Sequence, residues 1–223
     1  MGNWKVLKTN MLDNDTKVFP LVMQYFVRKM PYHYENKQII LDMIERVERV
    51  DTTVTKPDDR YQRITKYDYL MVDTVTNRPW VDFVTPKIMN VLSTMPNQLG
   101  WHLPEINSIW FQQYNTKDHH QWHPHCGCNW AGIYFLETPI ESHITEYIEP
   151  FTQKLFSFTA EEGDIVIFPA QLIHRSAAFL SANRKTVIAF NFDQMHPNIM
   201  KKIEEEQLLA KETLTTQCEE STQ

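Results

Sequence analysis

Four of the nine histidines fall between His119 and His125, and two of them, His123 and His125, stand two residues apart. On extended backbone, residues two apart point to the same side, so these two imidazoles would converge on one point in space. Imidazole suits iron, copper, nickel and zinc, and three such ligands on one face leave the opposite face free for substrate and water. The third candidate is His174. It ends the run from Glu162 to His174, which reads as a turn, a short apolar strand and a proline-initiated loop that delivers a histidine.

Ten residues on, Arg184 opens the strand Arg184-Lys185-Thr186-Val187-Ile188-Ala189-Phe190-Asn191-Phe192. Alternation puts Arg184, Thr186, Ile188 and Phe190 on one face. If that face looks inward, a buried guanidinium and a hydroxyl sit near the metal, and a buried arginine needs an anion, best a carboxylate. Tyr114, nine residues before His123, shares a strand face with Trp110 and Gln112. Trp110, Trp122 and Trp130 read as pocket wall and core, since no basic residues interleave them as in a base-stacking platform. His119 and His120 read as polar loop residues with at most a supporting role beside the metal. His33, His102, His143 and His196 read as structural or surface histidines. Cys126 and Cys128 flank one glycine, and a zinc-thiolate site there would crowd its ligands into one segment.

The elements that must position these residues change character along the chain. With 223 residues, 42% hydrophobic and 22% charged, the chain suits one structural domain with additions: a helical and mixed support region over 1–103, a catalytic core over 104–195, and a terminal helix with a frayed tail over 196–223. Apolar spacing predicts helices over 19–30, 38–50 and 80–95, with a polar loop at 51–59 and a strand at 64–72. From about Pro104 the period becomes two. It predicts strands over 106–114, 131–137, 144–148, 154–158, 164–168 and 185–192, then a helix over 197–213. Short strands at this spacing imply a mainly β sandwich or barrel, a jelly roll flanked by helices, with side chains pointing into its mouth.

A formal charge of −6 without a lysine and arginine cluster argues against general nucleic-acid binding. No apolar run approaches a bilayer span, no signal peptide begins at Met1, and Val6 stands where a myristoylation motif wants Ser or Thr. Three cysteines make no disulfide framework, which fits a reducing cytoplasm. The expected partner is a small-molecule or peptidyl substrate rather than nucleic acid or membrane, and nothing in the sequence forbids a homodimer.

Taken in order, His123-x-His125, Gly163-Asp164, Phe168-Pro169, His174 and Arg184-x-Thr186 resemble the Fe(II)- and 2-oxoglutarate-dependent dioxygenases. The likeness is to the prolyl-hydroxylase-like branch with Trp-His-x-His, aliphatic-Tyr-aromatic-Leu, Phe-Pro, His and Arg, and Phe-Asn in that order. It covers residues 104–193 and hardly touches the first hundred. It implies a double-stranded β-helix that uses Fe(II), 2-oxoglutarate and O2 to hydroxylate a small molecule or peptidyl residue, releasing succinate and CO2. Carried over, it makes His123 and His174 iron ligands and Arg184 with Thr186 the clamp on the distal carboxylate. Tyr114 would line the co-substrate pocket; Tyr134 is a second candidate, which a slip of one residue would replace with Phe135. The departure is His125, where relatives carry Asp or Glu; either three histidines hold the metal, or Asp118 or Glu137 supplies a carboxylate. A cupin-like metal protein that ignores 2-oxoglutarate and a non-catalytic jelly roll are the competing readings.

Overall fold

The computed structural model describes residues 23–47, 62–69, 78–95, 104–139, 145–194 except 179, and 198–208 except 200 and 207. In chain order these form β1 (Phe26–Lys29), α1 (His33–Glu45), β2 (Gln62–Arg63), β3 (Lys66–Tyr67), α2 (Pro79–Ser93), β4 (Glu105–Tyr114), β5 (His119–His123) and β6 (Trp130–Glu137). β7 (Glu146–Ile148), β8 (Leu155–Ser157), β9 (Asp164–Pro169), β10 (His174–Ser176) and β11 (Lys185–Asp193) complete the order. The strands make two antiparallel sheets, one of six in the order β1-β9-β6-β11-β4-β3 and one of five in the order β2-β5-β10-β7-β8. The fold is thus mainly β with flanking helices, as the change of period predicts.

The larger sheet is covered on both faces, and this sets where the chemistry can lie. On its outer face Ile109, Phe111, Leu136, Ile165, Ile167, Ile188 and Phe190 pack against Ile40, Leu41 and Ile44 of α1 and Trp80, Val84, Ile88, Val91 and Leu92 of α2. On its inner face Tyr114, Ile133, Phe135, Val166, Phe168 and Val187 form a second core with Tyr147 of the smaller sheet and with Phe158 and Leu172, which flank β8 and β10. At about 25 cal/mol per Å² of apolar surface, two such layers hold the sheet rigidly between them. Gly132 of β6 permits close approach, since a Cβ there would lie 2.1 Å from the Phe190 ring.

α2 matches its expected span, with Pro79 in the first turn where a missing N–H costs nothing. α1 ends sooner than 50 and starts earlier, at His33. The helix expected over 19–30 is corrected: its described part holds β1, whose residues pair with β9 from Phe26↔Ile167 to Lys29↔Asp164. The apolar residues spaced there at three to four are met by a strand whose Phe26 is half-buried and whose other residues are exposed. The strand expected at 64–72 is only Lys66–Tyr67, and 70–72 lie outside the described residues. Residues 201–206 are helical, with Lys201–Glu205 and Lys202–Glu206 ion pairs at four-residue spacing on an exposed face. His102, His143 and His196 lie outside the described residues. Among those described, no helix is long and apolar enough to cross a membrane.

A buried carboxylate ties the N-terminal region to the core. Asp68, fully buried, accepts from Arg78 Nε and Nη2, from Trp80 Nε1 and from the Phe111 amide. The Arg78 guanidinium also donates to the Ile109 carbonyl. Asp68 thereby fixes β3, the start of α2 and the middle of β4 to one another, and it holds Tyr69 edge-on to Trp110 with ring centroids 5.0 Å apart.

Candidate metal centre

β5 and β10 are neighbours in the smaller sheet, and His174 pairs directly with His123. His125 follows β5 by two residues and is pinned by its amide, which donates to the Ala170 carbonyl at 2.8 Å. The three imidazoles converge, with one ligand atom from each within 4.8 Å of the others. Two of the tautomers are set by the backbone. His123 Nδ1 lies 2.6 Å from the Gln121 carbonyl and His174 Nδ1 lies 2.9 Å from the Leu172 carbonyl. A carbonyl only accepts, so both Nδ1 atoms carry the hydrogen and both Nε2 atoms present lone pairs.

His125 Nε2 faces His174 Nε2 at 3.3 Å. Two imidazole nitrogens at right angles about an ion at about 2.1 Å would be about 3.0 Å apart, so the spacing suits adjacent ligands of one transition metal. Burial lowers the pKa of all three, pushing His125 down to about 4 and His174 well below the usual range. Nearby imidazoles add to the effect at His125 and His174, whereas the Gln121 and Leu172 carbonyls and the Asn191 side chain oppose it. The cluster therefore stays neutral and ligand-competent, and a divalent cation fits it.

No carboxylate joins this cluster among the described residues. Asp118 is taken up by the Thr65 hydroxyl, the Asn115 amide and Arg63, and Glu137 by Arg184 and Thr186. Of the two readings of the metal site, the geometry favours three histidines. Cys126 and Cys128 are free thiols outside the cluster.

The cluster forms one end of a cavity between the sheets. Trp110, Gln112, Tyr114, His120, Gly132, Ile133, Thr145, Ser176, Lys185, Val187 and Ala189 complete its wall, and none of these is acidic. Trp110 stacks on His125 with centroids 5.8 Å apart. Lys185 is fully buried, donates to Ser176 Oγ at 3.1 Å and lies 5.3 Å from the Tyr114 ring. Burial lowers its pKa from 10.5 to about 8. Its ammonium faces the cavity, where a bound carboxylate would gain a charge-assisted hydrogen bond.

The clamp expected from Arg184 and Thr186 is corrected by this arrangement. β11 turns Lys185, Val187 and Ala189 inward, and Arg184 and Thr186 belong to the opposite, helix-covered face. There Arg184 Nε donates to Glu137 Oε2 at 2.8 Å, a second guanidinium nitrogen meets Glu45, and the Thr186 hydroxyl donates to Glu137 at 2.9 Å. Tyr134 is on that same outer face, with its hydroxyl 2.7 Å from His33 Nδ1, so it does not line the cavity; Tyr114 does. His119 and His120 are on β5 rather than in a loop, and His120 stacks on His123 with centroids 4.0 Å apart. The sequence carries no signal for Lys185, because both faces of β11 are largely apolar and buried; for His120 the density of histidines is the one signal.

No family model matches the chain, and no curated protein matches it. Solved structures share its fold at 10–11% identity. The viral collagen prolyl hydroxylase of Paramecium Bursaria Chlorella virus-1, as its 2-oxoglutarate complex, aligns with a TM-score of 0.52 over 75% of this chain and 94% of its own, at 10% identity. A prolyl hydroxylase from Trichoplax adhaerens, in complex with a hypoxia inducible factor peptide, gives 0.55 over 78% and 84%, at 11% identity. HygX from Streptomyces hygroscopicus, with nickel, 2-oxoglutarate and hygromycin B bound, gives 0.54 over 76% and 82%, also at 11%. The fold is the one these 2-oxoglutarate oxygenases use, and this chain adds to it a cluster of three histidines able to hold a metal.

Proposed function

We propose that the protein is a metal-dependent 2-oxoglutarate oxygenase, with iron the metal and a small molecule or peptidyl residue the prime substrate. The observation that carries the reading is the cavity itself, with three converging imidazoles at one end and a buried ammonium in its wall. When bound together, ferrous iron, 2-oxoglutarate and O2 supply the oxidising power for hydroxylation, with succinate and CO2 as co-products.

The chain's own residues account for the rest. His123, His125 and His174 hold the metal through Nε2, and the Nδ1 partners of His123 and His174 keep those two rings aimed. Lys185 neutralises the distal carboxylate of the co-substrate, and Ser176, Tyr114 and Thr145 line the same recess. A dianion suits a wall that carries an ammonium and no acid, the more so because three neutral ligands leave the metal its full charge. Trp110, Ile133 and Val187 exclude water, so these charges interact at low dielectric.

The test is succinate release by purified, iron-loaded protein supplied with 2-oxoglutarate across a panel of metabolites and peptides. Release that depends on iron and is lost in Lys185→Met supports the reading. Metal binding with no 2-oxoglutarate consumption under any condition would instead favour a cupin-like protein.

A further inference from the structure

One wall of the cavity carries a chain of hydrogen bonds that leads from Tyr114 through Gln112 to His120. The Lys185 ammonium, which has donors only, gives a hydrogen to Ser176 Oγ at 3.1 Å. Ser176 and Tyr114 lie together in the same wall. Tyr114 donates to Gln112 Oε1 at 2.8 Å. With its oxygen so used, Gln112 turns its NH2 group toward His120 Nδ1, 3.5 Å away. An amide NH2 only donates, so Nδ1 accepts and the imidazole hydrogen sits on Nε2. Among the described residues that Nε2 has no hydrogen-bond partner, and the ring lines the cavity while stacking on His123.

We propose that this chain fixes His120 as a permanent Nε2–H donor beside the metal-binding imidazoles, where it selects a prime substrate presenting an uncharged acceptor oxygen, a carbonyl or a hydroxyl. Tyr114 and Gln112 are positioning residues, and His120 is the specificity residue they set. A ligand with only carbon at that place leaves a buried N–H unpaired and binds about tenfold more weakly or worse. The ligand's role as prime substrate rests on the oxygenase reading; the position of the His120 hydrogen does not.

The experiment is nitrogen-15 NMR of the full-length, histidine-labelled, metal-free protein at neutral pH, with N-methylacetamide as the acceptor probe. His120 should show an unprotonated Nδ1 and a protonated Nε2, and N-methylacetamide should shift the Nε2–H resonance. Gln112→Glu, which only accepts, should move the hydrogen to Nδ1 and remove the response. Should that variant fold poorly, Gln112→Met should leave the two tautomers mixed. A native His120 protonated on Nδ1, an Nε2 indifferent to the probe, or an unchanged tautomer in both variants overturns the proposal. None of these readouts needs metal or 2-oxoglutarate, so this failure is separable from a failure to release succinate.

Discussion

His123 and His174 are register partners on adjacent antiparallel strands, and each donates its Nδ1 hydrogen to the carbonyl two residues before it. The same local device repeated on β5 and β10 presents two bare Nε2 atoms to one point before any metal arrives. Preorganisation of this kind makes the site's affinity depend on backbone geometry as much as on the ligands themselves.

Replacing a ligand should show this. His174→Ala is expected to weaken Co(II) or Mn(II) binding by more than about a hundredfold, because the lost imidazole is buried between the other two. His125→Asp should keep the metal, since a carboxylate there gives the commoner ligand set. Calorimetry with metal-free protein measures both; native affinity in His174→Ala would remove that residue from the centre.

Lys185 gives a pH dependence whose sign is fixed by its burial. Its ammonium is lowered to about 8, so the charge needed to hold a carboxylate is present below that value and lost as pH rises through it. The 2-oxoglutarate affinity of metal-loaded protein should therefore fall above about pH 8. A dissociation constant that stays flat well past that point would exclude Lys185 as the anchor.

The Arg184 pairings predict the opposite of a clamp. Arg184→Ala should leave 2-oxoglutarate binding near the native value and cost about 1 kcal/mol of stability, since its partners Glu137 and Glu45 are part-exposed. Asp68→Ala should be far worse, about 3–5 kcal/mol, because it strands the buried Arg78 guanidinium. Urea unfolding monitored by tryptophan fluorescence separates the two.

Acid should destabilise the metal-free protein. Burial lowers the pKa of His33, His120, His123, His125 and His174. Native imidazoles thus bind fewer protons than unfolded ones below the ordinary value of 6.5. Stability is full above that value and is lost as pH falls toward about 4, where His125 titrates. The midpoint in urea should drop steadily over this window and be flat from neutral to mildly alkaline pH, until Lys185 begins to titrate.

The histidine cluster was legible because residue type and spacing alone constrain it: two imidazoles two apart and a third at the end of an apolar strand have few other uses. The parity of β11 was not. Lys185 through Phe190 are all buried, since helices cover one face of the sheet and the smaller sheet the other, so no hydrophobic alternation marks which face is inner. Chemical preference for a guanidinium then selected Arg184 over its neighbour. His120 was hidden for a related reason: the register shift between His174 and Ser176 on β10 breaks simple alternation opposite β5, bringing His120 as well as His123 into the wall. α2 was legible from its long apolar stripe, whereas β1 depends on pairing with a strand more than a hundred residues away.

The central claim is that one cavity holds a metal and 2-oxoglutarate together, the first on His123, His125 and His174 and the second on Lys185. Titration calorimetry of 2-oxoglutarate into Mn(II)-loaded native protein, metal-free native protein and Mn(II)-loaded Lys185→Met tests it most directly. One molecule bound per chain in the first, at least about tenfold weaker in the other two, is the predicted result. Equal affinity in all three, or none in any, would contradict it.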